Sequence, residues 1–394
     1  MRNPLTRIAV ALLFAAAAAQ ALAAPRPEPR RLPVETARAG QVAPFRLAEP
    51  DAASGPCGTR LEAVFELAER RASLALAAPL PTPHSVDTAG IAVLEDDGTF
   101  FYPDKSGNPV LDIAAVTHAW FRTHDDDAEM LAVYLASGLN EWLGSPTALA
   151  AAWPIRNQIA GIGLSNFDAG AAFGSPSRLE MVMTMNGLHR YLEDPDEVWP
   201  GDTFNAMGIL CHEFGHRWSS YVFVDSAGTT SPALLGRDWQ HWNFFFDADS
   251  SYMEGCDWTA VGPDTFVTTG ATTTFGALDQ YLMGLRDAGE VPPVFFVRNP
   301  SGTDTDDGRE PETGVTFAGT RKDVTIGDMV AAMGDRNPRG SSGARPFRQA
   351  FVFVAVGGPA DPAAVAKVER IRAAFPAFFA QAVEGRGSVD PTLN

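Results

Sequence analysis

His212 and His216 lie four positions apart in the apolar stretch GILCHEFGHRW, with Glu213 next to the first. On a helix, side chains four apart lie on one face, about one turn from each other. Two imidazoles so placed can bind one Zn²⁺, and Glu213 can reach a water activated there. The segment is therefore read as a helix from Phe204 to Tyr221, with Ile209, Leu210, Phe214 and Trp218 on its apolar side. The rest of the chain must fold so as to bury that face and supply whatever else the metal needs.

The surrounding pattern is α/β. GIAVLEDD and EMLAVYLAS read as strands, and RLEMVMTMN (Arg178–Asn186) as a further strand, placed either at a sheet edge beside a substrate or in a sheet centre. DIAAVTHAWFRTH reads as helix or strand, GALDQYLMGL (Gly276–Leu285) as a helix, and PFRQAFVFVAVGG as a late strand. Asp361–Glu384 reads as a helix bent or split at Pro376. Together these predict an α/β (α+β) chain: a small mixed sheet packed on a long HExxH helix, with a mostly helical C-terminal part.

The first 23 residues resemble a secretory signal. Arg2 and Arg7 precede an apolar run, Ile8–Ala19, and Ala21–Leu22–Ala23 supplies small residues for cleavage. The expected organisation is a leader at 1–23, an N-terminal or propeptide-like segment at 24–88, a catalytic domain at 89–300 and a C-terminal extension or subdomain at 301–394. Helical spacing of Leu61, Val64, Phe65 and Ala68 places one helix in the second of these, from about Arg60 to Ala77. The product is expected to be secreted or periplasmic, and monomeric. The formal net charge is −18, and removal of the leader makes it more negative. Such a surface disfavours nucleic acid and anionic membrane as partners. Asp125–Asp126–Asp127 and Thr303–Glu310 are acidic enough for Ca²⁺ but lack EF-hand spacing, so solvated turns are favoured. Of the three cysteines, Cys211 and Cys256 are placed for one bridge, which leaves Cys57 over.

A catalytic zinc needs three protein ligands and an open position. Among seven histidines only His241 follows the motif, in LLGRDWQHWNFFFDADSSYMEGCDW. Glu254, and less directly Asp279, compete with it as third ligand. Asp238 and Asp247 suit the orienting of an imidazole. Tyr252 and Tyr221 are candidate donors to an oxyanion.

HEFGH, with Gly215 before the second histidine, resembles the metzincin zinc endopeptidases. The continuation HxxGxxH/D is absent: Ser219 stands at the glycine position and Val222 at that of the third ligand. In the leishmanolysin-like branch the third histidine is distant, in a His-Trp pair, and a methionine follows in a turn beneath the zinc. His241–Trp242 followed by Met253 is similar, and the likeness covers about residues 205–256. It implies a zincin-like fold, Zn²⁺ on His212, His216 and His241, Glu213 as general base, Met253 in the Met-turn, and a protein or peptide substrate. Arg217, a charge next to the second histidine, departs from the pattern.

Overall fold

The computed structural model describes residues 61–74 and 85–394, apart from 105, 140, 142, 144–146, 201–203, 226–227, 271 and 341–344. The expected leader, Cys57 and His84 lie outside the described residues. The first half contains α1 (Leu61–Leu74), β1 (Ser85–Thr88), β2 (Ile91–Glu95), α2 (Ile113–Trp120), β3 (Met130–Leu135), β4 (Ala151–Pro154), β5 (Met181–Gly187) and α3 (Ala206–Gly215). The second contains β6 (Trp242–Asp247), β7 (Glu254–Cys256), β8 (Trp258–Gly262), β9 (Thr265–Thr268), α4 (Ala277–Met283), β10 (Val294–Ser301), β11 (Thr316–Val324), α5 (Ile326–Met333), β12 (Arg345–Ala355), α6 (Pro362–Ala382) and β13 (Gly387–Asp390).

The main sheet runs β1-β2-β12-β3-β5-β4, with β13 also on β12. Its four central strands are mutually parallel, and β1 and β4 are antiparallel to their neighbours. Parallel strands are stable when both faces are covered, which is why EMLAVYLAS and AFVFVAV are almost continuously apolar. Alternate side chains serve two cores. Val93, Ala132, Tyr134, Met183 and Phe351 pack with α3 and α6 through Leu210, Phe214, Ile371 and Phe375. Leu94, Leu131, Val133, Val182 and Val352 pack on the other side with Val64 and Leu67 of α1 and Ile113 and Trp120 of α2.

This arrangement settles one reading that was left open and corrects others. The strand β5 lies inside the sheet between β3 and β4, so it offers no free edge. Residues 301–394 are neither mostly helical nor separate, because β12 occupies the centre of the sheet begun by β2 and β3. The helix α6 is not split at Pro376 but runs on to Ala382, with Phe375 and Phe379 packed on Phe214. The motif helix α3 is ten residues long, starting after the Asn205 cap, whose side chain accepts from Gly208 N at 2.8 Å. The α1 and β1 parts of the expected propeptide-like segment also belong to the body of the fold, α1 through Val64 and Leu67 and β1 through its pairing with β2.

A second six-stranded sheet, β7-β6-β10-β11-β9-β8, surrounds an aromatic cluster of Phe244, Phe245, Trp258, Phe266 and Phe317. Its strand β6 begins at the residue after His241, and β6 and β7 pair in parallel. The site thus forms where α3 of the first layer system meets the root of this second sheet. No helix among the described residues is long and apolar enough to cross a membrane.

Candidate metal centre

His212 and Glu213 occupy the last turn of α3, and His216 is its C-terminal cap with helical φ and ψ. A β-carbon at Gly215 would lie 2.2 Å from Met253 Sδ and 2.8 Å from Phe275 Cε1. The glycine before the second histidine is therefore required by a methionine packed directly against the helix backbone.

Three imidazoles converge. His212 Nε2 lies 3.1 Å from His216 Nε2 and 3.2 Å from His241 Nε2. The backbone sets two of the tautomers: His212 Nδ1 donates to Tyr252 O at 2.7 Å, and His241 Nδ1 donates to Arg237 O at 3.1 Å. With the proton on Nδ1, each Nε2 presents a lone pair, and these two lone pairs face each other. A cation between them resolves that repulsion. Nitrogen ligands at about 2.0–2.1 Å from a tetrahedral zinc stand roughly 3.3–3.4 Å apart, so the spacing fits. His212 is 2 % exposed and His216 and His241 are 0 % exposed. Burial is the main cause that holds His212 down at about 4 and the other two well below the ordinary histidine value, with the Arg237 charge adding to it. All three are therefore neutral at pH 7, the form that binds metal. The donor set, its spacing and its tautomers fit a zinc ion.

The fourth side of the cluster carries charge. Arg237 Nη2 donates to His241 Nε2 at 3.1 Å and also to Glu254 Oε1. Glu254 Oε1 is 3.6 Å from the same His241 nitrogen. Burial pushes the Glu254 carboxyl up to about 7 while the guanidinium works against it. In this arrangement the guanidinium shares the lone pair that a metal would take. Glu254, the rival third ligand, is bonded to Arg237 through Oε1, the same oxygen that faces His241.

Asp279, the other rival, is not grouped with the imidazoles. Its buried carboxylate accepts from Ser219 Oγ at 2.9 Å, Trp242 Nε1 at 2.9 Å, Ser251 Oγ at 2.6 Å and Gly276 N at 3.0 Å. It fastens together the segment after His216, the residue after His241 and the residue before Tyr252. Ser219, which stands where the family pattern has glycine, owes its place to this bond. Burial raises the Asp279 carboxyl to about 6 against those four donors.

The remaining expectations sort by contact. Tyr252 serves through its carbonyl, while its ring packs on Phe275 and Phe378. Tyr221 donates its hydroxyl to His216 O at 3.1 Å. The imidazole Nδ1 atoms of His212 and His241 are held by backbone carbonyls, not by Asp238 or Asp247, and Asp247 instead gathers with Asp249 and Asp257. Arg217 turns to Glu180 at 2.7 Å and Asn157 at 3.1 Å, which neutralises the charge beside His216. Cys211 and Cys256 are buried free thiols in separate apolar clusters, so the expected bridge is absent. Of the acidic runs considered for Ca²⁺, Asp126 accepts from Ser175, Ser177 and Arg178, Asp127 pairs with Arg348, and Asp304 and Asp306 cap their own turns. Sequence reading missed Arg237. Its spacing of four from His241 was visible, but only the Arg237–Gln240 turn shows that both side chains aim at one point.

Comparison with known protein families, curated proteins and solved structures found no match.

Proposed function

We propose that the chain is an exported zinc-dependent endopeptidase with a zincin-like catalytic region, in which His212, His216 and His241 hold one Zn²⁺. The observation that carries this reading is the convergence of three neutral imidazole nitrogens at 3.1 and 3.2 Å, two of them from an HExxH helix end. Zinc bound there supplies Lewis-acid polarisation of a carbonyl and lowers the pKa of water. Glu213, wholly buried beside His212, takes the proton from the attacking water and returns it to the leaving amine. The Tyr252 and Arg237 carbonyls hold the His212 and His241 rings in orientation, and Asp279 ties together the segments that carry them.

The full chain should carry about one zinc and cleave casein or members of a peptide library. Glu213→Gln should keep the zinc and lower hydrolysis by about 10²–10⁴-fold. A zinc-loaded wild type that hydrolyses no peptide, or a Glu213→Gln variant as active as wild type, overturns the reading.

One observation favours a second reading. The three rings are at most 2 % exposed and Glu254 Oε1 approaches His241 within 3.6 Å, as in a closed four-ligand structural site. In that case the metal only ties α3 to the second sheet. Zinc that resists chelators, with no hydrolysis by the wild type, identifies it.

A further inference from the structure

Arg237 occupies an unusual position. Residues Asp238 and Trp239, which follow it, both have left-handed backbones, with φ of 54° and 57°. A pair of non-glycine residues in that region is uncommon, and it folds the chain back sharply. The result is that Arg237 meets both nitrogens of His241: its carbonyl accepts from Nδ1 and its guanidinium donates to Nε2. The guanidinium is in turn held by Glu254, which β7 presents from the strand paired with β6. Its side chain is 9 % exposed, whereas those of His241 and Glu254 are 0 % and 5 % exposed. Of these three side chains Arg237 is the most exposed, and its Nη2 lies against the imidazole cluster. Arginine cannot be a metal ligand, and so close to the ligand nitrogens it is a fixed cation facing the place where the reaction occurs.

We propose that Arg237 is the oxyanion-binding catalytic residue of this site and that Glu254 is its positioning residue, a role the sequence had offered to Tyr252. This rests on the hydrolytic reading above. As the water oxygen bonds to the amide carbon, the carbonyl oxygen gains the negative charge. Arg237 donates hydrogen bonds to that oxygen and transfers no proton. Glu213 carries the water proton to the nitrogen, the C–N bond breaks, and the carbonyl re-forms as the charge leaves the oxygen. A fixed donor aimed at charge that exists only at this stage lowers the barrier more than it aids substrate binding. Glu254 holds the guanidinium by a bond that needs no rearrangement during the reaction.

The test measures anion binding as well as rate. Inorganic phosphate is titrated calorimetrically into the zinc-loaded full chain, and into the cobalt-loaded chain with the visible spectrum as readout. Arg237→Gln should keep about one zinc per chain yet bind phosphate roughly tenfold or more weaker, because a charge-assisted donor is lost. Its kcat should fall by about 10²–10³-fold with little change in KM. Arg237→Lys should recover part of both. Because Arg237→Gln alone leaves Glu254 as an uncompensated buried charge, the double variant Arg237→Gln/Glu254→Gln is made alongside it, with neutral amides in both places. It should fold, hold zinc and show the same loss of phosphate. Glu254→Gln should retain more phosphate binding than Arg237→Gln. The proposal is overturned if the double variant binds phosphate as wild type does, or if either Arg237 variant keeps wild-type kcat. Failure of the peptidase reading shows separately, as absence of hydrolysis in the wild type, and leaves the phosphate arm readable.

Discussion

Among the described residues, two places bring ligand atoms of three metal-capable side chains within 4.8 Å of one another: His212, His216 and His241, and Asp247, Asp249 and Asp257. They differ in burial, in charge and in what holds them. The imidazoles are sealed in the core and at least two have their protons fixed by backbone carbonyls. The carboxylates are partly or fully open to solvent, and Asp257 already accepts from the amide and hydroxyl of Ser250. Burial, and after it the repulsion of the neighbouring carboxylates, pushes Asp247 up to about 7 and raises Asp249 as well. A group of acids can thus relieve its own repulsion by taking up a proton. The neutral imidazoles cannot do so easily, because burial disfavours the protonated form. The same geometric criterion therefore has a different meaning in the two places, and only the buried one asks for a cation.

The sharpest way to break this contrast is His241→Ala. Zinc affinity should fall by more than about 100-fold, beyond the loss seen when an outer hydrogen-bond partner of a ligand is removed. Glu254→Gln should leave zinc in place. Metal content after dialysis measures both, and the opposite order would make Glu254 the third ligand. Next in size is Asp279→Ala, which strands four donors in the core and should destabilise the fold by about 3–5 kcal/mol, read by denaturant unfolding.

The pH response separates the clusters by sign. In the metal-stripped protein the folded value of His212 is about 4, below the unfolded 6.5. The unfolded chain then binds more protons between those values, so stability is complete above pH 6.5 and is lost as pH falls towards 4. A His212→Gln variant should show a shallower loss over that window when unfolding is followed at several pH values. For the acids the sign reverses, because their folded values are raised and stability is lost as pH rises. The smallest effect expected is therefore a slight rise in melting temperature for Asp249→Asn at pH 7, absent at pH 4. Asn suits the backbone there, since Asp249 has φ of 53°.

Local pattern carried much of this architecture. The apolar runs of β2, β3, β5 and β12 were legible as strands, and α1 was legible from Leu61, Val64 and Ala68, because burial on both faces or on one stripe leaves its period in the sequence. Their order was not legible. The strand β12 lies more than two hundred residues after β2 and β3, yet it sits between them. The continuity of α6 through Pro376 was also hidden, since packing of Phe375 and Phe379 outweighs the local tendency to break. At the site, His212, Glu213 and His216 were legible because i and i+4 spacing is a property of one helix. Asp279 was misread as a possible ligand, because a lone acid on a short helix looks the same whether it faces a metal or three hydroxyl and indole donors.

The sequence by itself determined that two imidazoles and a carboxylate share one helix end, and that His241 and Met253 follow in a family-like order. Only the tertiary structure decided that Met253 lies under Gly215, that His241 points its Nε2 at His212, and that Arg237 and Glu254 stand on the remaining side. The physical reason is range. A helix of 3.6 residues per turn places neighbours from spacing alone, whereas a third imidazole 25 positions further on is placed by two sheets, one buried carboxylate and a left-handed turn acting together.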